Sequence, residues 1–152
     1  MGSMKEIVKP TGSVNFKHYD STGKLIFEKT VKNLIVLTGL QYIAARMVDS
    51  EDPPQQMTHM GLGASATTPE LSDVSLGTQL GRVALTVEGG IQSSNTVTYS
   101  ATFPAGVAIG NVVEAGIFDS STGGTMLCRT TFPTIIKGEE DTLAVTWIIT
   151  VN

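Results

Sequence analysis

Residues 143–151 read Leu-Ala-Val-Thr-Trp-Ile-Ile-Thr-Val, and this stretch decides the fold class. Apolar residues occupy every second position, which is the period of a β-strand with one face against a core. The apolar face comprises Leu143, Val145, Trp147, Ile149 and Val151. The pattern therefore predicts a long strand that places Trp147 in the core.

Shorter strands with similar alternation precede this one. They are separated by segments rich in Gly, Ser, Asp and Pro, which favour turns. The predicted strands cover residues 14–19, 24–31, 58–63, 82–88, 96–103 and 111–118, followed by 125–132 and 143–151. Phe118 is a second predicted core residue, and residues 64–81 are predicted to form a long ordered loop. This succession favours a mainly β fold, an antiparallel, jelly-roll-like β-sandwich, over a parallel α/β sheet.

One short α-helix is predicted near residues 38–48. Thr38 and Gln41 have the spacing of a capping box, in which each satisfies a backbone donor near the other. Apolar residues at helical spacing form one face, which comprises Leu40, Ile43, Ala44 and Met47. Ile43 is predicted to lie in the core. The helix should end before residues 50–56, which contain two prolines.

The length of 152 residues suits one domain. The opening Met-Gly-Ser-Met, residues 1–4, has the character of a cloning remnant, so the domain is predicted to cover 5–152. Cys128 is the single cysteine, which excludes an intrachain disulfide, and its apolar neighbours predict a buried side chain. Synthesis in a reducing cytoplasm is expected. The sequence predicts neither a signal peptide nor a membrane span.

The charge of the chain argues against two classes of partner. The net charge is −4, and the ten Lys and Arg residues are spread along the sequence without a run. Binding to nucleic acid or to an anionic membrane surface requires basic residues concentrated on one face. Neither partner is therefore expected.

A search for catalytic or metal-binding patterns finds little. His18 and His59 are the only histidines, and their spacing matches no metal site. The glycine pattern at 61–66 is followed by a loop-like segment rather than a helix, so a nucleotide site is disfavoured. We expect no cofactor, no metal and no enzymatic activity.

Two charged residues, Arg82 and Glu114, stand in apolar surroundings. Glu114 interrupts the strand 111–118, and a buried carboxylate is tolerated mainly when it is paired or richly hydrogen-bonded. Arg82 is the first candidate partner and Arg129 the second. We interpret these residues as a structural ion pair rather than as a catalytic acid.

Several passages resemble small structural proteins of tailed bacteriophages. Residues 33–44 (NLIVLTGLQYIA) resemble the opening of these proteins, and 57–63 (MTHMGLG) with 76–82 (LGTQLGR) resemble a passage of tail-fibre and baseplate-region proteins. Residues 113–118 (VEAGIF) and 124–129 (GTMLCR) match a further passage of the same proteins. Together they run in consistent order along nearly the whole chain.

The resemblance implies a virion component made in the cytoplasm of the host bacterium. Its place would be the tail-fibre or baseplate region, or the capsid surface as a decoration protein. The family is not associated with an active site. One departure is Gln79, which stands where the family often has Glu and removes one possible partner of Arg82.

The sequence therefore leads to a non-enzymatic protein that binds copies of itself and other phage structural proteins. A homo-oligomer is expected, with threefold symmetry by analogy to fibres and capsid decorations. The alternative is a receptor- or carbohydrate-binding module, since end loops of sandwiches often carry such sites. Against it, the chain has one Trp and three Tyr, and Trp147 is predicted to be buried.

Overall fold

The fold is built from strands that pair mainly with partners distant in the sequence. The computed structural model describes residues 10–151. Its elements follow in this order: β1 (Pro10–Tyr19), β2 (Leu25–Ile35), α1 (Leu37–Arg46), β3 (His59–Gly63), β4 (Gln79–Ala84), β5 (Ile91–Ser93), β6 (Thr96–Phe103), β7 (Gly110–Phe118), β8 (Met126–Lys137) and β9 (Thr142–Val151).

All nine strands belong to one antiparallel sheet in the order β4-β3-β7-β8-β2-β1-β9-β6-β5. Strand β2 joins its two halves, because it pairs with β1 along most of its length and with β8 at Leu34 and Ile35. The sheet curls about this joint, so that Phe16 of β1 meets Phe132 of β8 with ring centroids 4.3 Å apart. The predicted mainly β, antiparallel and sandwich-like fold with one helix is confirmed.

The core lies between the two halves of the curled sheet. Trp147 is fully buried in β9, where it stands opposite Val14 of β1 on one side and Tyr99 of β6 on the other. Phe118 is 1% exposed and belongs to a smaller apolar cluster. Ile43 is half-buried and packs against the main core from the helix.

The helix begins one residue before the predicted cap. Val36 occupies the N-cap position and makes no side-chain cap bond, so the prediction of a capping box at Thr38 is wrong. The Thr38 hydroxyl instead donates to the carbonyl of Met126 at 2.8 Å. Because that strand lies beside the start of the helix, the hydroxyl finds a partner across the packing interface rather than within the helix.

The predicted apolar face of the helix is buried only in part. Ala44 is exposed and Met47 is 82% exposed, whereas Gly39 is buried. A Cβ at Gly39 would lie 1.9 Å from the carbonyl oxygen of Leu127. The helix therefore approaches β8 through its first turn, and its last turn stands away from the sheet.

Two boundaries differ from the predicted ones for identifiable reasons. Strand β4 begins at Gln79 rather than at residue 82, because Gly63 of β3 already pairs with it there. Strand β8 runs through Pro133 to Lys137, whereas the predicted strand ended at residue 132. Its register with β7 shifts between Val112 and Glu114, and an irregularity of this kind accommodates a proline in a strand.

Within residues 10–151, no helix is long and apolar enough to cross a membrane. The predicted cloning remnant, residues 1–4, lies outside the described part of the chain.

Candidate functional site

The centre of the site is the carboxylate of Glu114. Strand β7 lies between β3 and β8, and Glu114 stands opposite Gly63 on one side and Thr131 on the other. Its side chain is fully buried. A charged group in this position is stable only when surrounding donors replace the water that it has lost.

Backbone N–H groups supply most of those donors. The N–H groups of Ser65 and Thr78 donate to Oε2 at 2.8 and 2.9 Å, and that of Gly77 donates to Oε1 at 2.8 Å. All three belong to the segment 64–78, which connects β3 to β4. We call this segment the 64–78 loop. The carboxylate therefore fixes both ends of the loop.

Arg129 completes the site from the neighbouring strand. Its Nε donates to Oε1 of Glu114 at 3.1 Å, and its side chain is 3% exposed. Its Nη1 donates to the carbonyl of Thr67 at 2.9 Å and to Oδ2 of Asp73 at 3.1 Å. The guanidinium thus links the buried carboxylate to the middle of the 64–78 loop, so the ion pair organises that loop from below.

Gly63 leaves the space that the carboxylate fills. A Cβ at this position would lie 2.5 Å from Oε2 of Glu114 and 2.5 Å from the carbonyl oxygen of Thr78. The glycine pattern of β3 is therefore explained by close packing within a strand. It is followed by the 64–78 loop and not by the helix that a nucleotide site requires.

Arg82, the first candidate partner in the sequence analysis, does not pair with Glu114, and that prediction is corrected. Arg82 stands opposite Gly61 of β3, whereas Glu114 stands opposite Gly63, two residues further along that strand. Its guanidinium lies 3.6 Å from the centre of the Phe118 ring, a cation–π contact. Gly61 leaves room for the Phe118 ring, since a Cβ at Gly61 would lie 3.2 Å from a carbon of that ring. The side chain is therefore held away from the carboxylate.

Hydrogen bonds fix Arg82 over that ring. Its Nε donates to Oε1 of Gln79 at 3.0 Å, and its Nη1 donates to the carbonyls of Ser120 and Gly123, both at 2.9 Å. Gln79 stands where the resembling family often has Glu, and it still bonds to Arg82, as a neutral partner. Burial lowers the pKa of the guanidinium from its ordinary value. Arg82 closes the β7–β8 turn and takes no part in the Glu114 network.

The two histidines lie in different parts of the fold. Nε2 of His18 lies 2.9 Å from Oδ2 of Asp141, and Nδ1 of His59 lies 2.7 Å from Oγ1 of Thr58. The hydrogen bond from His18, followed by one from a backbone N–H, holds the pKa of Asp141 below its ordinary value. No group of three metal-ligating side chains occurs in the part of the chain that the structure describes.

Cys128 is buried, and this burial raises the pKa of its thiol well above the ordinary value. A thiol in that state is a poor nucleophile, because the reactive form is the thiolate. The sequence analysis did not identify two further charged groups. Asp73 lies in a segment without periodicity, and Lys137, 1% exposed, donates from Nζ to the carbonyl of Pro104 at 2.9 Å. No pattern in the sequence distinguishes either residue from an ordinary loop charge.

The fold and the site together define an antiparallel β protein whose buried ion pair organises a long loop. No protein-family model matches the chain, and neither a curated protein nor a solved structure is found to match it.

Proposed function

We propose that this chain is a non-enzymatic structural protein of a bacteriophage virion. It belongs to the tail-fibre or baseplate region or decorates the capsid, and it acts by binding copies of itself and other virion proteins. The basis of the proposal is the resemblance of several passages of the sequence to such proteins.

One observation carries the argument from sequence to structure. Three of the passages that resemble phage proteins, 76–82, 113–118 and 124–129, meet in a single hydrogen-bonded network. Thr78 comes from the first, Glu114 from the second and Arg129 from the third. Each passage taken alone is a weak match to phage proteins, but the three contribute to one structural unit. This supports reading them as parts of a single resemblance.

The chemistry of the site supports a structural role. The carboxylate of Glu114 accepts four hydrogen bonds and is fully buried, so a substrate has no direct access to it. A general acid or base needs contact with the group on which it acts. The ion pair fits a device that orders a loop, which would suit a surface repeated many times in a particle.

The alternative, a receptor- or carbohydrate-binding module, has less support. Trp147, the single tryptophan, lies in the core and offers no face to a sugar. Tyr99 is also buried, and the exposed aromatic side chain of the described residues is Phe27, 40% exposed. Exposed aromatic side chains are therefore scarce, and the two tyrosines that line a cavity, Tyr42 and Tyr99, are half-buried and buried.

The proposal is tested on particles produced from the genome that encodes this chain. Particles are purified by density gradient and their proteins are quantified by mass spectrometry, and an antibody against the recombinant chain is used for gold labelling. We expect the chain at many copies per particle, with label on the tail tip or on the capsid. Its absence from purified particles that contain the other structural proteins would overturn the proposal.

A further inference from the structure

Positive charge is distributed unevenly over the molecule. Four lysines lie on the hairpin formed by β1 and β2, residues 10–35, and with Asp20 and Glu28 they leave a net charge of +2. Residues 36–151 hold four basic and eleven acidic side chains, a net charge of −7. The four lysines of the hairpin are Lys17, Lys24, Lys29 and Lys32, and Nζ of Lys17 lies 3.9 Å from Oε2 of Glu28 within the same hairpin.

The same hairpin exposes two consecutive apolar residues at the start of β2. Leu25 and Ile26 are 46% and 50% exposed, and we call them the hairpin patch. Phe27 stands opposite His18 and so faces the other side of the sheet from Leu25, which stands opposite Tyr19. The hairpin patch lies on the part of β2 that pairs with β1 alone, before β8 joins at Leu34. An apolar segment on an open strand edge is a surface that proteins normally cover. The hairpin therefore combines an unpaired edge, an apolar patch and basic flanks.

A cavity of opposite character lies toward the other end of the strands, since its β9 residues Ile149 and Val151 pair with the start of β1 and Leu25 pairs with the end of β1. It has a volume of about 360 Å³ and lies between the last turn of α1 and the strands β6 and β9. Tyr42 and Tyr99 line it together with Ile149, and Met47 and Val151 form an exposed apolar rim. Its volume is in the lower part of the range of about 300–1,000 Å³ that is common for binding pockets. It has room for an apolar side chain.

Acidic residues flank this cavity in the sequence. Met47 lines the cavity, and the exposed residues Asp49, Glu51 and Asp52 follow it in the sequence. Gly89 also lines the cavity, and the exposed Glu88 directly precedes it. Arg46 also lines the cavity, and its Nη1 donates to the carbonyl of Pro54. With this one arginine counted, the flanks keep a net charge of −3. The cavity is thus apolar in its lining and acidic at its flanks.

We propose that the hairpin patch of one copy of the chain docks in this cavity of the next copy. Apolar side chains of the patch would enter the cavity, and the lysines of the hairpin would face its acidic flanks. Complementary charge favours this pairing and disfavours contact between two hairpins. The inference rests on the self-association in the proposed function and deepens it.

The two surfaces differ, so the contact is heterologous. A contact of this type closes into a ring when the rotation between copies permits it, and otherwise forms a filament. The threefold oligomer expected from the sequence is one such ring. A two-fold dimer in which β2 pairs with β2 would instead use the same surface twice and leave the cavity empty.

The test uses two single variants that leave buried residues untouched. Ile26→Asp damages the hairpin patch, and Met47→Asp damages the rim of the cavity; the two side chains are 50% and 82% exposed. Sedimentation equilibrium measures the mass of each protein. We expect each variant to lose at least about 30-fold in association constant, the effect of truncating a side chain important for binding. Leu37→Asp is the matched control, since Leu37 is 49% exposed and belongs neither to the hairpin patch nor to the lining of the cavity.

Mixing the two variants distinguishes the arrangements. An equimolar mixture contains one intact hairpin patch and one intact cavity, so we expect it to form a heterodimer and nothing larger. Failure to associate on mixing, or loss of association in Ile26→Asp alone, overturns the inference but leaves self-association standing. A wild-type chain that remains a 16.0 kDa monomer at 100 µM, roughly the upper range of weak interfaces, overturns both the inference and the self-association.

Discussion

The Nε atom of Arg129 lies 3.1 Å from Oε1 of Glu114, and the two side chains are 3% and 0% exposed. This ion pair joins neighbouring strands and also holds the 64–78 loop, because three backbone N–H groups of the loop share the same carboxylate. Removing Arg129 would leave the buried carboxylate without this charged partner, and removing Glu114 would leave the guanidinium with the partly exposed Asp73 as its carboxylate partner. The pair therefore contributes both to the contact between the strands and to the order of the loop.

Glu114→Gln should lower the free energy of unfolding by about 3–5 kcal/mol, since it removes the buried charge partner of the guanidinium and leaves only the ion pair with the partly exposed Asp73. The amide also turns one acceptor into a donor that faces backbone N–H groups. Urea unfolding followed by circular dichroism measures the change. Glu140→Gln, at an exposed turn position, is the control and should change stability by less than about 0.5 kcal/mol. A similar small effect at Glu114 would contradict the structural role.

The double variant Glu114→Gln with Arg129→Met should lose less stability than the two single variants together. The coupling energy should be about 1–3 kcal/mol, as found for residues in one buried network. The same cycle with Arg82→Met in place of Arg129→Met should be additive within about 0.5 kcal/mol, because Arg82 lies over Phe118 and makes no contact with the carboxylate. Strong coupling to Arg82 would contradict the observed pairing.

Gly63→Ala should destabilise the protein by about 1–3 kcal/mol or more, because the added methyl group meets both Glu114 and the carbonyl of Thr78. The backbone φ of Gly63 needs no glycine, so the whole cost is steric. Gly23→Ala provides the opposite case: φ is +83°, and nothing lies within 4 Å of the added Cβ. It should cost about 1 kcal/mol from backbone strain alone. Equal costs in thermal unfolding would argue against close packing at Gly63.

Trp147→Ala should cost about 3–5 kcal/mol, as is usual for truncation of a buried aromatic side chain. Trp147→Phe should cost much less than this. The indole Nε1 is buried without a hydrogen-bond partner among the residues that the structure describes, so phenylalanine removes a donor that contributes no hydrogen bond there. Chemical denaturation of both variants gives the comparison, and equal losses would mean that the indole N–H has a partner after all.

Acid should weaken the protein in part through Asp141. Hydrogen bonds from His18 and from the N–H of Gly138 hold the pKa of this carboxyl below its ordinary value of 3.8. A lowered folded-state pKa contributes stability above the unfolded-state value, and this is lost as the pH falls through the folded-state value. Asp141→Asn should therefore be less stable than the wild type at pH 6, and the difference should shrink below pH 3.8. A constant difference across urea titrations at both pH values would contradict this linkage.

The alternating strands were predictable from the sequence because their period is a local property. The strand 96–103 and the burial of Trp147 follow from alternation alone. Glu114 was also identifiable, since a lone carboxylate in an apolar strand requires compensation. Which of Arg82 and Arg129 pairs with Glu114 was not predictable, because the answer depends on the register of β3, β4 and β8, which the sequence does not reveal.

Features that depend on packing across the fold were missed. Thr38 matches a local capping pattern, yet its hydroxyl bonds to Met126 of a strand far along the chain. Asp73 and Lys137 lie in segments without periodicity, and each finds its partner across the fold: Asp73 bonds to Arg129, and Lys137 bonds to the carbonyl of Pro104. Local patterns thus identify elements and isolated charges but not the contacts between them.

Strands β1 and β9 pair along ten positions, from Pro10 opposite Val151 to Tyr19 opposite Thr142. The fold therefore has a high contact order, and its folding is expected to be slow compared with that of helical domains of this size. During synthesis, β1 and β6 lack their common neighbour until β9 has left the ribosome. Nascent chains would expose two long unpaired strand edges during that interval, so the yield of folded protein should depend on the concentration of nascent chains and on chaperones.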